Sequence, residues 1–146
     1  MSISTIKANI KTNLDDLVTS AVLAGCSTAD IRKNQLGADT PAYPWAYLMP
    51  PGMESETSDS RSNLRTYTFD IVVLYNAEDL LGSDSLETMT ESILNKFDND
   101  PTLGGAALGG LLPVSSSPVP MQHNGKDLIM VVVTLKAKEV VTLTFS

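Results

Sequence analysis

The stretch Asp84–Lys138, DSLETMTESILNKFDNDPTLGGAALGGLLPVSSSPVPMQHNGKDLIMVVVTLKAK, decides the fold. Leu86, Met89, Ile93 and Phe97 recur at steps of three and four residues, which is one face of an amphipathic helix. Asp84 is placed to cap it, with Glu87 three residues on reaching back as in a capping box. Asp98-Asn-Asp-Pro-Thr-Leu-Gly-Gly105 then stops it. Pro101 disfavours helical backbone at Asp100, so the helix is expected to end near Phe97. A proline-bearing strand, an Asn124-Gly125 turn and an apolar strand from Leu128 follow. A two-residue Asn-Gly turn pairs His123 with Lys126, Met121 with Leu128 and Val119 with Met130. Pro118 and Pro120 then fall where a missing N–H costs the ladder nothing, and residues 114–121 become an edge strand blunted by proline. None of this stretch offers a catalytic group.

Upstream, Ile3, Ile6, Ile10, Leu14, Leu17 and Ala21 form a second helical stripe. Lys7, Lys11, Asn13 and Asp15 are expected on its other side, and Gly25 supplies a plausible stop. Residues 26–42 are polar and mixed, with room for a short strand around Ile31. In Pro41-Ala-Tyr-Pro-Trp-Ala-Tyr-Leu-Met-Pro50, Trp45, Tyr47 and Met49 alternate with Ala46 and Leu48, a short strand framed by prolines. Residues 51–63 have no period and one apolar side chain, and read as an exposed loop or arm. From Arg65 to Tyr75, Tyr67, Phe69, Ile71, Val73 and Tyr75 share one face of a strand. Thr66, Thr68 and Asp70 share the other, which turns apolar at Val72 and Leu74. Val140–Phe145 either extends the last strand or forms a C-terminal arm. The expected fold is α+β: two helices on one face of a four-stranded, mostly antiparallel sheet ending in a β-hairpin.

The chain has 146 residues, which suits one domain with a real core. Its net charge of −7 is uneven. Residues 54–100 hold 11 acidic residues against Arg61, Arg65 and Lys96, whereas the rest is nearly balanced. Acidity of this kind argues against binding nucleic acid through its phosphates, but suits a surface that DNA slides past. An ordinary solvated face explains the charge equally well. With aromatics at 5%, a base-stacking platform is not expected. Cys26 is the only cysteine, which excludes an intrachain disulfide and a cysteine-based zinc site. No signal-peptide layout opens the chain, and the apolar run Leu128–Val133 is too short to span a bilayer. A soluble protein made in the cytoplasm, with no membrane partner, is the expectation.

The polar motifs supply no chemistry. His123, the only histidine, sits beside a tight turn and reads as a turn residue rather than a catalytic base. The Asp98 segment fails as a calcium loop, with Leu103 in the glycine position and Gly109 in the glutamate position. Gly104–Gly110 lacks the Lys-Ser/Thr of a phosphate loop and follows a helix, so it reads as a crossover. Glu54, Glu56 and Asp59 can gather a cation only weakly from a loop. Asp15 and Asp16 point apart on their helix, and Trp45 suits a core or an interface. No catalytic residue, cofactor or metal site is therefore expected, and the chain is not expected to be an enzyme.

The order of elements resembles the tail-terminator and tail-completion proteins of tailed bacteriophages, the lambda tail-terminator group. The likeness covers roughly residues 3–137. It rests on the opening helix, Pro44-Trp-Ala-Tyr-Leu-Met-Pro50, the strand Arg65-Thr-Tyr-Thr-Phe-Asp-Ile-Val-Val, the helix leading into Asp100-Pro-Thr-Leu-Gly-Gly105, and the terminal hairpin. The loop 51–63 and the chain past Glu139 are not matched by that pattern. The resemblance implies a virion protein that forms a ring, expected to be a hexamer, on the tail tube. It would join the tube to the neck or head-completion protein, with double-stranded DNA passing without specific binding. Trp45, Met53, Glu54, Glu56, Asp59, Arg61, His123, Asn124, Val141 and Phe145 are the candidate interface residues. A neck adaptor or head-completion protein of the same virion, and a small cytoplasmic ligand- or peptide-binding module, remain alternatives.

Overall fold

The computed structural model describes residues 3–20, 22–28, 44–57, 61–76, 83–100, 102–103, 113–123 and 125–142. The elements run α1 (Ile3–Thr19), β1 (Gly25–Thr28), β2 (Trp45–Leu48), β3 (Gly52–Thr57), β4 (Ser62–Asn76), α2 (Ser83–Asp98), β5 (Val114–Ser115), β6 (Val119–His123) and β7 (Lys126–Thr142). The α+β class is as expected, but among the described residues the sheet has seven strands rather than four. Its order is β1-β2-β4-β7-β5, with β3 also on β4 and β6 also on β7. Among the described residues only β1 and β2 run parallel; the other pairs are antiparallel.

The spine is the β4–β7 ladder, which pairs Ser62 with Thr142 at one end and Asn76 with Leu128 at the other. At about 3.4 Å per residue it runs ~50 Å. Tyr67, Phe69, Ile71, Val73 and Tyr75 of β4 point to one face with Val131, Val133, Leu135 and Ala137 of β7. Ile6, Ile10, Leu14 and Leu17 of α1 and Leu86, Met89, Ile93 and Phe97 of α2 close over that face. Both helical stripes are therefore used as their spacing requires.

Several local expectations are corrected. Helix α1 ends at Thr19, where the Leu17 carbonyl accepts from the amides of Val22 (2.9 Å) and Leu23 (3.2 Å). Gly25 is not its stop but the first residue of β1. It is paired with Trp45, and a Cβ there would meet the indole at 2.2 Å. Gly25→Ala should therefore cost about 1–3 kcal/mol by overpacking. Gly52→Ala, which has open space around it, should stay within about 0.5 kcal/mol of wild type. Thermal melts of the two variants would check this, and equal losses would show that the indole simply moves aside. Asn13 is buried rather than on the polar side, because its Nδ2 donates to Asp100 Oδ2 at 2.9 Å across the gap to the end of α2.

Residues 52–57 and 62–63 are not a free arm. Gly52–Thr57 pairs with Asn63–Thr68 of β4, so the segment is largely one limb of a hairpin. All six residues of β3 are exposed, which is why no apolar period betrays it. Between β2 and β3, Leu48 opposes Ile71 and Gly52 opposes Thr68. Met49 still donates to the Asp70 carbonyl at 2.9 Å, so Pro50 and Pro51 face Phe69 alone. Two residues lacking an N–H are thus placed in a bulge, where the ladder needs none.

The hairpin register is as expected: His123 with Lys126, Met121 with Leu128 and Val119 with Met130. Gly125 takes φ 77°, the left-handed backbone that a primed turn requires. Pro118 departs from expectation. Ser115 opposes Val133 and the Ser116 amide donates to the Val132 carbonyl at 2.8 Å, so Ser117 and Pro118 share Val131 as a second bulge. The expected edge strand 114–121 is thereby split into β5 and β6. Val140–Val141 continue β7 through Thr142, and the rest of that segment lies outside the described residues.

Helix α2 begins at Ser83, so Asp84 lies one residue inside its start, and it ends at Asp98 as anticipated. The proposed strand near Ile31, the crossover 104–110, Asp59, Asn124 and Phe145 lie outside the described residues.

Candidate functional site

The side chains expected at an interface separate into three places. Met53, Glu54 and Glu56 lie on β3, Arg61 just before β4, and Val141 near the end of β7. The registers bring these together on one ribbon made of β3, the first half of β4 and the last part of β7. Met53 is 62% exposed and Val140 48% exposed, so the ribbon presents apolar side chains to solvent. Trp45 lies elsewhere, half-buried on β2, where its indole N–H donates to Ser27 Oγ at 3.2 Å. His123 lies at the opposite end of β7 from the ribbon, at the β6–β7 turn, and its side chain is not among those described.

The sheet's second face carries its own cluster. Tyr47, Val72, Leu74 and Leu128 are buried there, with Trp45, Met49, Met121, Met130 and Val132 packed around them and partly exposed. This face lies opposite α1 and α2. The pattern was half legible: Val72 and Leu74 had already turned the polar face of their strand apolar.

A polar arrangement sits where the ribbon meets the core. Glu139 is buried on the helix-facing side of β7, opposite Arg65 and beside Tyr67, whose hydroxyl donates to it. Burial and then the neighbouring Glu139 carboxylate raise the Tyr67 hydroxyl above the usual tyrosine range, with Arg65 opposing. The signal for it was present, because Leu135, Ala137 and Glu139 share one side of a strand and the third member is charged.

Near the start of the chain, Lys11 Nζ lies 2.8 Å from Asp15 Oδ1, and Cys26 Sγ lies 3.2 Å from both. Lys11 and then Cys26 hold the Asp15 carboxyl below its usual range. Asp15 raises Lys11. Burial, helped by Asp15, raises the Cys26 thiol, so the thiolate needed for nucleophilic attack is disfavoured.

A cleft of about 370 Å³ lies between α2 and the β5 edge, with Leu86, Leu94, Pro118 and Val131 among its apolar lining and Glu87 and Glu91 among its acidic lining. Among the described residues no group of three or more His, Cys, Asp or Glu is placed to hold a metal ion. Among them, too, no helix is long and apolar enough to cross a membrane.

No protein-family model matches the chain. A search of curated proteins likewise finds no match. Among solved structures, one similar chain belongs to the "Virion of native gene transfer agent (GTA) particle", at 14% identity and a TM-score of 0.47. The alignment covers 90% of this chain and 93% of that one. A likeness at that level assigns no role.

Proposed function

We propose that the chain is a non-enzymatic structural virion protein: a tail terminator that caps the tail tube as a ring and joins it to the neck or head. Double-stranded DNA would pass through its channel without specific binding. The observation that carries this reading is the two-sided use of the sheet. Helices α1 and α2 seal one face, while the other keeps partly exposed Trp45, Met49, Met121, Met130 and Val132 around a buried centre. A plate closed on one side and apolar on the other is suited to stacking on a neighbouring ring. The resemblance of the element order to phage tail terminators supports the same role, and also supports a neck adaptor or head-completion protein as the nearest alternative. Electron microscopy of particles assembled without this chain should show over-long or unjoined tails. Normal tails would sink the proposal, and a density map placing the ring at the head vertex would favour the adaptor.

The cleft between α2 and β5 favours a second reading, a small ligand- or peptide-binding module, because its size and apolar lining suit a modest ligand. A stable monomer that binds no virion component would favour that reading.

A further inference from the structure

The ribbon has two bare edges. Among the described residues, β3 pairs only with β4, and residues 135–142 of β7 pair only with β4. Both outer strands are antiparallel to β4, so they run in the same direction. The registers set three cross-strand rows on the face away from the helices: Gly52–Thr68–Lys136, Glu54–Thr66–Lys138 and Glu56–Leu64–Val140. One edge thus carries Glu54 and Glu56, and the other carries Lys136 and Lys138. All four side chains are exposed, and among the described residues none has an ion-pair partner.

Bare edges invite pairing, and charges on an edge normally discourage it between like strands. Here the charges are opposite on the two edges, so they oppose self-pairing of either edge and favour pairing of one with the other. We propose that the β3 edge of one copy joins the β7 edge of the next in a head-to-tail contact, continuing the sheet from copy to copy. A heterologous contact of this kind closes into a ring under rotation. The strands then meet in parallel, and a two-residue stagger sets Glu54 against Lys136 and Glu56 against Lys138. Met53 and Val140 lie on the same strands and lose solvent contact as the edges close. This contact rests on the ring reading above, and it names the surfaces that reading leaves open.

Charge reversal in the full chain tests it. Glu54→Lys/Glu56→Lys gives a copy with two basic edges, and Lys136→Glu/Lys138→Glu one with two acidic edges. Sedimentation should show each variant alone needing at least about tenfold more protein to associate than wild type, while their equimolar mixture recovers association by alternating. Raising salt from about 0.05 to about 0.5 M should weaken the wild type toward the single variants. In a Cys26→Ala background, Glu54→Cys on one copy and Lys136→Cys on another should form a disulfide on oxidation. Each copy then carries a single cysteine, so a bridge can form only between copies. Reversed variants that associate like wild type overturn the contact and leave the ring reading standing. A wild type that stays monomeric with no such cross-link also overturns the contact, and the tail phenotype then decides the ring reading separately.

Discussion

Leu103→Ala is expected to destabilise the protein by about 2–5 kcal/mol, the range for truncating a buried leucine. Leu103 is fully buried in the main core, two residues past Pro101, and closes the end of the helix layer where α2 stops. It does so at φ 50°, a left-handed backbone that a large side chain adopts at a cost of about 1–2 kcal/mol. The Leu103 amide donates to the Asp100 carbonyl at 3.1 Å, and Asp100 is tied to Asn13 of α1, so the turn is held from both helices. The strain is thus offset by the burial it permits. Leu103→Gly gives a sharper test. In a helix, glycine is about 1 kcal/mol worse than alanine. Here relief of the left-handed strain should make Leu103→Gly no worse than Leu103→Ala. Denaturant unfolding of both variants measures the difference; glycine a full kcal/mol below alanine would show that the backbone is unstrained.

Tyr67→Phe is expected to cost about 1.5–3 kcal/mol, because it withdraws a hydroxyl donor from the buried Glu139 carboxylate. The double substitution, Tyr67→Phe with Glu139→Leu, should lose less than the sum of the single changes, since it leaves no carboxylate short of a donor. The pH dependence follows from the raised Tyr67 hydroxyl. Its contribution is complete below the unfolded tyrosine value of about 10 and is lost as pH climbs from there through the folded value. In that window the unfolded chain has released a proton that the folded chain retains, so stability falls with pH. Wild type should therefore lose stability above about pH 10 faster than Tyr67→Phe, and the two should converge. Parallel alkaline limbs in urea titrations would show that Tyr67 does not control this region.

How much of the fold could be read depended on what each element needs from its side chains. Helix α2 needs an apolar stripe, and Leu86, Met89, Ile93 and Phe97 supplied it. The β6–β7 hairpin needs a primed turn, and Asn124-Gly125 placed its register to the residue. Strand β3 needs neither, because it forms through backbone pairing and buries none of its side chains. It was unreadable as a strand for that reason. Strands β1 and β5 are four and two residues long, too short to display a period. The candidate interface was legible only in part: Met53, Glu54 and Glu56 were singled out, whereas Lys136 and Lys138 were not. Their significance depends on a cross-strand partner that local sequence does not name.

Local spacing and turn chemistry set the two helical stripes, the buried face of β4, the end of α2 and the register about Gly125. These are short-range matters, in which each residue's neighbours along the chain supply the reason. The bulges at Pro50-Pro51 and Ser117-Pro118 come from how the short strands register on β4 and β7, and the burial of Glu139 and the opposed charges on the ribbon's two edges come from the way β4 joins β3 to the long strand β7. Ladder pairing joins residues more than fifty positions apart, and its hydrogen bonds are made by backbone atoms that every sequence carries alike.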